Sequence, residues 1–182
     1  MNIFYVHPDP AICAQQHVDK HVVKMILEYA QLLSTAHRVL DGTMSVGLSD
    51  RGRKKTSYIL PDERNDVLYS ATHLNHPSAK WVRHSLANYQ HLFKLWVELM
   101  REYHYRYGKI HASMRLAKHL RFPPTNISTT EGFSAPWRAM PDEYKYDRSE
   151  PDYTVKSYRA YILGAKSQML KWKNRETPDW AH

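Results

Sequence analysis

Four side chains that could carry out acid–base or metal chemistry recur at helical spacing near the start of the sequence. They are His17, His21, Lys24 and Glu28. On a helix these positions fall within about 60° of one another, so the side chains share one narrow strip. A carboxylate among apolar neighbours, with a lysine one turn away, can exchange protons near neutral pH. The alternative is a solvent-exposed Lys24–Glu28 ion pair, which contributes only roughly 0.2–0.5 kcal/mol.

The two histidines of this strip allow a second chemistry. Two histidines one turn apart on a helix can bind a metal ion together. A third ligand could be Glu28, His76 or His84. The sequence lacks the His-Glu-x-x-His motif that would make such a site specific. We therefore expect no bound metal and no cofactor, and we keep a metal-dependent hydrolase as an alternative.

The strip must be carried by a long and mostly apolar helix. Asp9 and Pro10 form a helix start, because an aspartate N-cap accepts backbone N–H bonds and a proline loses no hydrogen bond at the first position. Helical periodicity continues to about Leu40, and Asp41-Gly42 supplies a stop signal. Apolar residues cover most of the circumference, so we expect a central helix whose polar strip faces a cleft.

The remaining sequence predicts further helices joined by long loops. Helical patterns cover three segments, residues 75–108, 110–121 and 153–172. The opening MNIFYV fits a short strand or an extended arm, and residues 41–75 and 122–152 have no sustained period. With 182 residues and no linker-like tract, the chain suits one domain. We predict an all-α fold, a single compact domain over residues 1–182 with three to five helices and long ordered loops.

The composition favours a polyanionic partner. Lys and Arg number 26 against 18 Asp and Glu, which gives a formal net charge of +8. Such a surplus promotes association with nucleic acid, most simply duplex DNA, although cations spread evenly over the surface would serve solubility alone. The basic segment SDRGRKK (49–55) is predicted to be a loop that can contact phosphates. The candidate substrate-binding residues are His17, Lys20, Arg51, Arg53, Lys54, Lys55, His76 and Arg106.

The sequence carries no sign of export or of membrane insertion. The first residues lack a basic region followed by a long apolar run, and no apolar run approaches the roughly 20 residues that span a bilayer. The only cysteine, Cys13, cannot form an internal disulfide and fits a reducing compartment. We therefore expect a cytoplasmic, monomeric protein without a membrane partner.

Residues 19–33, DKHVVKMILEYAQLL, resemble the first long helix of pyrimidine-dimer DNA glycosylases of the endonuclease V type. In that family an (Ala/Cys)-Asp-(Gln/Lys)-His motif precedes the catalytic glutamate by seven residues. Here Asp19-Lys20-His21 is followed seven residues later by Glu28. Three further segments are similar in order and approximate spacing: NHPSAKW (75–81), ELMREYHYRYG (98–108) and RETPDW (175–180).

The resemblance implies a compact all-α protein that grips bent duplex DNA and acts on a damaged base pair. In that family the α-amine of the chain attacks the sugar C1′ and forms an imine, after which β-elimination cuts the strand. The family's glutamate stabilises the charged sugar and moves protons, which assigns this role to Glu28 and places His21 in the site lining. Because this chain begins Met1-Asn2-Ile3 where the family usually has Met-Thr-Arg, Lys20 and Lys24 are alternative imine-forming amines.

The leading hypothesis is a DNA-acting enzyme of the base-excision type. Such an enzyme cleaves N-glycosidic bonds in damaged or modified DNA and could also act as an abasic-site lyase. The predicted catalytic residues are Glu28, His21 and Lys24. Two other hypotheses stay open: a non-catalytic nucleic-acid-binding protein, and a metal-dependent hydrolase that uses the His/His/Glu set on the helix.

Overall fold

Two long helices and a short hairpin organise residues 1–48 and 51–182, the part of the chain that the computed structural model describes. In chain order the elements are α1 (Pro10–Gln15), α2 (Asp19–Asp41), β1 (Thr43–Leu48), β2 (Lys54–Ile59), α3 (Arg64–Val67), α4 (Pro77–His84), α5 (Leu86–Tyr107), α6 (Ala117–Leu120) and α7 (Tyr153–Ala165). Short 3₁₀ segments cover Ala112–Leu116, Asp142–Tyr144, Ser167–Met169 and Asp179–Ala181. Ser49 and Asp50, which belong to the predicted basic loop, lie outside the described residues.

The hairpin overturns the predicted all-α fold, and the protein is a mostly helical α/β domain. β1 and β2 pair antiparallel, from Thr43 opposite Ile59 to Leu48 opposite Lys54. The predicted helix count is wrong as well, because the described residues contain seven α-helices rather than three to five. The strand signal in the sequence is short: only six residues alternate in β1, and β2 begins with two lysines and shows no alternation.

A break divides the first predicted helix into α1 and α2. Asp9 caps α1 by accepting hydrogen bonds from the amides of Ala11 and Ile12, and Pro10 occupies the first turn. This confirms the predicted helix start. The helix is interrupted at residues 16–18, before α2 begins.

The second predicted helix is divided in the same way, at Ser85. This residue has an extended backbone, and its Oγ accepts a hydrogen bond from the amide of Asn88. A serine in this position caps a new helix, so α4 ends and α5 begins there. α5 ends at Gly108, whose φ of 64° is the left-handed conformation that favours glycine. The predicted end of this helix is therefore confirmed.

The later predicted elements are shorter than expected. Residues 110–121 form a 3₁₀ segment followed by α6, and α7 ends at Ala165 rather than near residue 172. Residues 122–152, predicted to be a long loop, contain one short 3₁₀ segment among the described elements. The loop therefore holds little regular structure, as its lack of a period predicts.

α2 lies at the centre of one hydrophobic core, as its apolar circumference predicts. It packs against α4 and α5, and Nε1 of Trp96 on α5 donates a hydrogen bond to the carbonyl oxygen of Ile26 at 2.9 Å. Residues 1–6 form an arm without strand pairing, and Ile3 and Val6 on this arm are fully buried. Every helix in the described part of the chain is too short or too polar to cross a bilayer.

Candidate active site

A cavity of about 260 Å³ opens beside the N-terminal half of α2, and Glu28 forms part of its wall. The Glu28 side chain is only 14% exposed, and each of its carboxylate oxygens faces a different amine. Oε2 lies 3.8 Å from the α-amine of Met1, and Oε1 lies 3.3 Å from Nζ of Lys24. The carboxylate is thus held between two positive groups, one on the buried Met1 and one on the exposed Lys24.

Packing of the N-terminal arm brings Met1 to this cavity. The amide of Phe4 donates a hydrogen bond to the hydroxyl of Tyr29 on α2 at 3.0 Å. Further along the arm, Nε of Arg159 on α7 donates to the carbonyl oxygen of Val6 at 2.9 Å. Because the arm is held at both points, buried contacts determine the position of the α-amine.

His17 lies behind the cavity wall and supports it. Its Nδ1 lies 2.7 Å from the carbonyl oxygen of Cys13, and its Nε2 lies 3.3 Å from the hydroxyl of Tyr29. Since a carbonyl oxygen only accepts, Nδ1 carries the proton and Nε2 accepts from Tyr29. Burial lowers the pKa of His17 to about 4, so the ring is neutral at pH 7. Both ring nitrogens of His17 therefore have partners, and His17 is not among the residues that line the cavity.

His21 does line the cavity, and it too is neutral. Its ring stacks on Phe4 with the centroids 3.9 Å apart, and burial, reinforced by nearby cationic side chains, lowers its pKa to about 3. Nδ1 of His21 and Oδ1 of Asn2 are buried without a hydrogen-bond partner among the described residues. Buried polar atoms in this condition are rare and unfavourable, and both of these belong to residues of the same cavity wall. Such an arrangement suits a site that receives a polar ligand group.

The walls of the cavity are cationic. Besides the Met1 amine, they include three ammonium groups, those of Lys20, Lys24 and Lys166, and one carboxylate, that of Glu28. Lys24 comes from the predicted polar strip and Lys20 lies next to it, whereas Lys166 follows the end of α7. An excess of positive charge around a cavity attracts anionic ligands, among them phosphodiesters.

His76 lies near the cavity without forming part of its lining. It caps α4 by accepting a hydrogen bond from the amide of Ser78 at 3.1 Å. Burial lowers the pKa of His76, the positive N-terminal amine lowers it further, and the negative charge of Glu28 acts in the opposite direction. These influences place His76 within electrostatic range of both Met1 and Glu28.

Arg106 is fully buried and ties α5 to the start of α2. Its guanidinium donates to Glu102 at 2.6 Å and to Asp19 at 2.8 Å. Its other hydrogen bonds reach the carbonyl oxygens of Gln15 and His17. These contacts hold the break between α1 and α2 together, and the structure does not bring Arg106, a predicted substrate-binding residue, to the cavity.

The four basic residues of the hairpin lie far from the cavity. They are Arg51, Arg53, Lys54 and Lys55, and all are exposed. The hairpin follows the C-terminal end of α2, and the 13 residues from Glu28 to Asp41 span about 20 Å of helix. The structure therefore divides the predicted binding residues between two regions at opposite ends of α2.

The residues suggested as metal ligands do not come together. Within the described parts of the chain, no three His, Cys, Asp or Glu side chains are grouped so as to hold a metal ion. The ring centroids of His17 and His21 are 6.3 Å apart, and both nitrogens of His17 already have partners. The side chains present do not fit the metal-dependent alternative.

Three residues of the cavity wall, Tyr161, Lys166 and Met169, come from a segment without a functional signal in the sequence. Tyr161 and Lys166 lie at the end of α7 and just beyond it, more than 130 residues after Glu28. Nζ of Lys166 lies 5.4 Å from the centroid of the Tyr161 ring. Their segment has an ordinary helical pattern, so only the packing of α7 against the N-terminal arm reveals them.

Comparisons of the chain with protein-family models, with curated proteins and with solved structures found no match. Among the residues that carry the resemblance to pyrimidine-dimer DNA glycosylases, Lys20, His21 and Glu28 line the cavity, whereas Asp19 binds Arg106. The chemistry of the cavity is therefore the basis for a functional assignment.

Proposed function

We propose that the protein is a base-excision enzyme that acts on damaged or modified duplex DNA and cleaves the N-glycosidic bond through an imine formed in the Glu28 cavity. The observation that carries this proposal is the position of Glu28, a mostly buried carboxylate between two amines in a cationic cavity. An amine is nucleophilic only in its unprotonated form, and a neighbouring carboxylate can act as the base that takes its proton. The resemblance of residues 19–33 to pyrimidine-dimer DNA glycosylases supports the same assignment.

The reaction begins when an unprotonated amine attacks C1′ of the damaged nucleotide. The bond from C1′ to the base breaks, the electron pair leaves with the base, and the base takes up a proton. Glu28 accepts a proton from the attacking amine, and its negative charge stabilises the positive charge that develops on the sugar. Opening of the sugar ring gives an imine between the amine nitrogen and C1′. Removal of a C2′ proton then expels the 3′-phosphate, and water releases the amine.

Two amines lie next to Glu28 and can act as the nucleophile. The α-amine of Met1 is the better candidate where it is free, because α-amines are less basic than lysine amines and less protonated at neutral pH. Nζ of Lys24 is the alternative, and its side chain is 71% exposed. Lys20 also lines the cavity and is the third candidate.

The other residues of the cavity wall bind the sugar and its phosphates. His21 and Asn2 have unpartnered polar atoms, which can form hydrogen bonds with the hydroxyl groups of an opened sugar. Lys166 adds positive charge on the side of α7, where it can contact a phosphate. His76 lies near the cavity, outside its lining, and can hydrogen-bond the strand next to the reacting nucleotide.

Single-turnover cleavage of duplexes that contain an abasic site or a pyrimidine dimer tests the proposal. The wild-type protein should cleave them, and Glu28→Gln, which keeps the side-chain size but cannot accept the proton, should slow cleavage by roughly 10²–10⁴-fold. Glu98→Gln is the matched control, because Glu98 lies on α5 and pairs with the exposed Arg101. If the wild-type protein cleaves neither duplex, the proposal is wrong.

A non-catalytic nucleic-acid-binding protein is the second candidate, and the exposed basic hairpin favours it. The hairpin begins about 20 Å along α2 from Glu28, so its cations could bind DNA without any reaction in the cavity. On this hypothesis the wild-type protein and Glu28→Gln bind duplex DNA equally, and neither forms a product. Binding and product formation measured on the same samples distinguish the two candidates.

A further inference from the structure

We propose that the hairpin of β1 and β2, whose base lies about 20 Å along α2 from Glu28, is a DNA-binding ribbon that enters a groove of the duplex. The inference rests on the proposed function in one respect, since it takes duplex DNA as the ligand. It assigns a role to a surface that is separate from the Glu28 cavity and that combines apolar side chains with cations.

Large apolar side chains are exposed on one face of the hairpin. Met44, Val46 and Leu48 occupy alternate positions of β1, so they share one face, and they are 60%, 54% and 75% exposed. Their cross-strand partners on the same face are Tyr58, Thr56 and Lys54. Contiguous exposed apolar groups are typical of interaction surfaces rather than of ordinary protein surface.

The base of the hairpin is firmly attached to α2. Gly42 joins the two elements, and a Cβ at this position would collide with the carbonyl oxygen of Arg38. The guanidinium of Arg38 donates to the carbonyl oxygen of Tyr58 at 2.8 Å and to that of Tyr69 at 2.7 Å. These contacts give the hairpin a defined position relative to α2, and therefore relative to Glu28.

The charge of the hairpin selects an anionic partner. Four cations lie in β2 or just before it: Arg51, Arg53, Lys54 and Lys55. The sequence has one acidic residue between positions 43 and 59, Asp50. A two-stranded ribbon fits the major groove of B-DNA, where lysine and arginine reach phosphates and apolar side chains contact thymine methyl groups. A DNA duplex matches both the cations and the apolar face.

The separation between the hairpin and the cavity sets a length for the DNA that contacts both. The 13 residues of α2 from Glu28 to Asp41 span about 20 Å, the length of about six base pairs of B-DNA, before the hairpin begins. A duplex that ends closer than this to the damaged nucleotide, on the hairpin side, would reach the cavity without reaching the hairpin. Shortening the duplex on that side should weaken binding in the same way as substitutions in the hairpin.

Removal of hairpin cations tests the phosphate contacts. DNA affinity is measured by fluorescence anisotropy over a range of salt concentrations. Lys54→Ala/Lys55→Ala should weaken binding and reduce the slope of log affinity against log salt by about two, since each phosphate contact contributes about 0.9. The matched control Lys94→Ala/Lys109→Ala, which removes two exposed lysines in α5 and just after it, should leave the slope unchanged.

Removal of apolar surface tests the groove contact separately from charge. Val46→Thr/Leu48→Thr keeps residues that suit a strand and should lower the affinity about fivefold through lost apolar contact, with the salt slope unchanged. Both residues are exposed, so circular dichroism should show the wild-type fold. This check separates lost contact from lost folding.

Unchanged DNA binding by both hairpin variants would overturn the proposal. Sedimentation gives a second way to overturn it. If the wild-type protein self-associates and Val46→Thr/Leu48→Thr abolishes this self-association while DNA binding stays intact, the apolar face binds a second copy of the chain. These experiments measure DNA binding and not cleavage, so the hairpin proposal and the proposed function can fail independently of each other. Hairpin-dependent binding by a wild-type protein that does not cleave would contradict the proposed function alone.

Discussion

Glu28 on α2 and Glu102 on α5 are both mostly buried carboxylates beside cations, and their partners differ in kind. Glu102 accepts three hydrogen bonds of 2.6–3.1 Å from the guanidinium groups of Arg106 and Arg175. Burial alone would raise the pKa of Glu102, but the hydrogen bonds from Arg175 and Arg106 outweigh burial and lower it. Glu28 instead faces two amines, at 3.3 and 3.8 Å, in the wall of a cavity.

On the proposed function, the same residue type serves structure at Glu102 and chemistry at Glu28. A guanidinium does not lose its proton in a protein and matches a carboxylate with its planar fork. Glu102 is therefore a permanent ion whose task is to hold α5 in place. An amine can lose its proton, and on the proposed function an amine beside Glu28 is the group that reacts.

Neutralising Glu28 should produce the largest effect, and the effect should be on the reaction alone. Glu28→Gln should slow cleavage by at least roughly 100-fold and change the free energy of unfolding by less than about 1 kcal/mol, because Lys24 is mostly exposed and the contact with the Met1 amine, at 3.8 Å, is long. Single-turnover kinetics and denaturant unfolding measure the two quantities. A large loss of stability would show that Glu28, like Glu102, has a structural role.

Neutralising Glu102 should have the opposite consequence. Glu102→Gln leaves the fully buried Arg106 with less compensating charge, which should reduce the free energy of unfolding by about 3 kcal/mol. For a chain of this size, the melting temperature should fall by roughly 6–12 °C. Cleavage per folded molecule should stay at the wild-type level, and a strong loss of it would contradict a purely structural role.

Acid should destabilise the protein through buried histidines before it affects Glu102. Burial lowers the pKa of four histidines to about 3 or 4: His17, His21, His37 and His91. Below about pH 6.5 the unfolded chain binds protons that the folded protein excludes, so stability falls toward pH 4 by roughly 1.4 kcal/mol per pH unit for each histidine. Glu102, with its lowered pKa, contributes stability that is lost only at lower pH.

Unfolding measured between pH 7 and pH 5 separates these two origins of acid sensitivity. His17→Gln should flatten the dependence of stability on pH by roughly 1.4 kcal/mol per pH unit. Glu102→Gln should lower stability at every pH in this range and keep the slope. An unchanged slope in His17→Gln would show that the pKa of His17 is the same in the folded and the unfolded protein, and would contradict its lowering by burial.

The smallest effect is expected from the exposed partner of Glu28. Lys24→Ala removes an ion pair across one helical turn, and because Lys24 is 71% exposed the free energy of unfolding should change by no more than roughly 0.5 kcal/mol. Denaturant unfolding at low and high salt measures this change. A loss comparable to that of Glu102→Gln would mean that the Lys24–Glu28 pair is structural.

Local signals in the sequence predicted helix ends, whereas competing signals hid the breaks and the strands. Asp9 and Gly108 act through a few adjacent residues, and the structure bears out both. Ser85 interrupts an otherwise continuous apolar period, which masks its capping role. The hairpin is exposed, and alternation is confined to the six residues of β1, so residues 43–59 give only a short strand signal.

The candidate site could be predicted only where it lies on a single helix. Four residues of the polar strip or next to it share the cavity wall because a helical period places them together: Lys20, His21, Lys24 and Glu28. Met1, Tyr161 and Lys166 reach the same wall through tertiary packing, which no local pattern encodes. For the same reason Arg106 was predicted to bind substrate. The sequence shows its charge but does not show the buried groups that it pairs with.

Borohydride trapping on a duplex with an abasic site, followed by peptide mapping of the adduct, tests most directly whether an amine beside Glu28 forms an imine with C1′. Borohydride reduces the imine, so the DNA stays covalently attached to the reacting residue. We predict an adduct on the α-amine of Met1 or on a cavity lysine, Lys24 or Lys20, with a much lower yield from Glu28→Gln. The absence of any adduct with the wild-type protein, or an adduct on a lysine outside the cavity, would contradict the proposed chemistry.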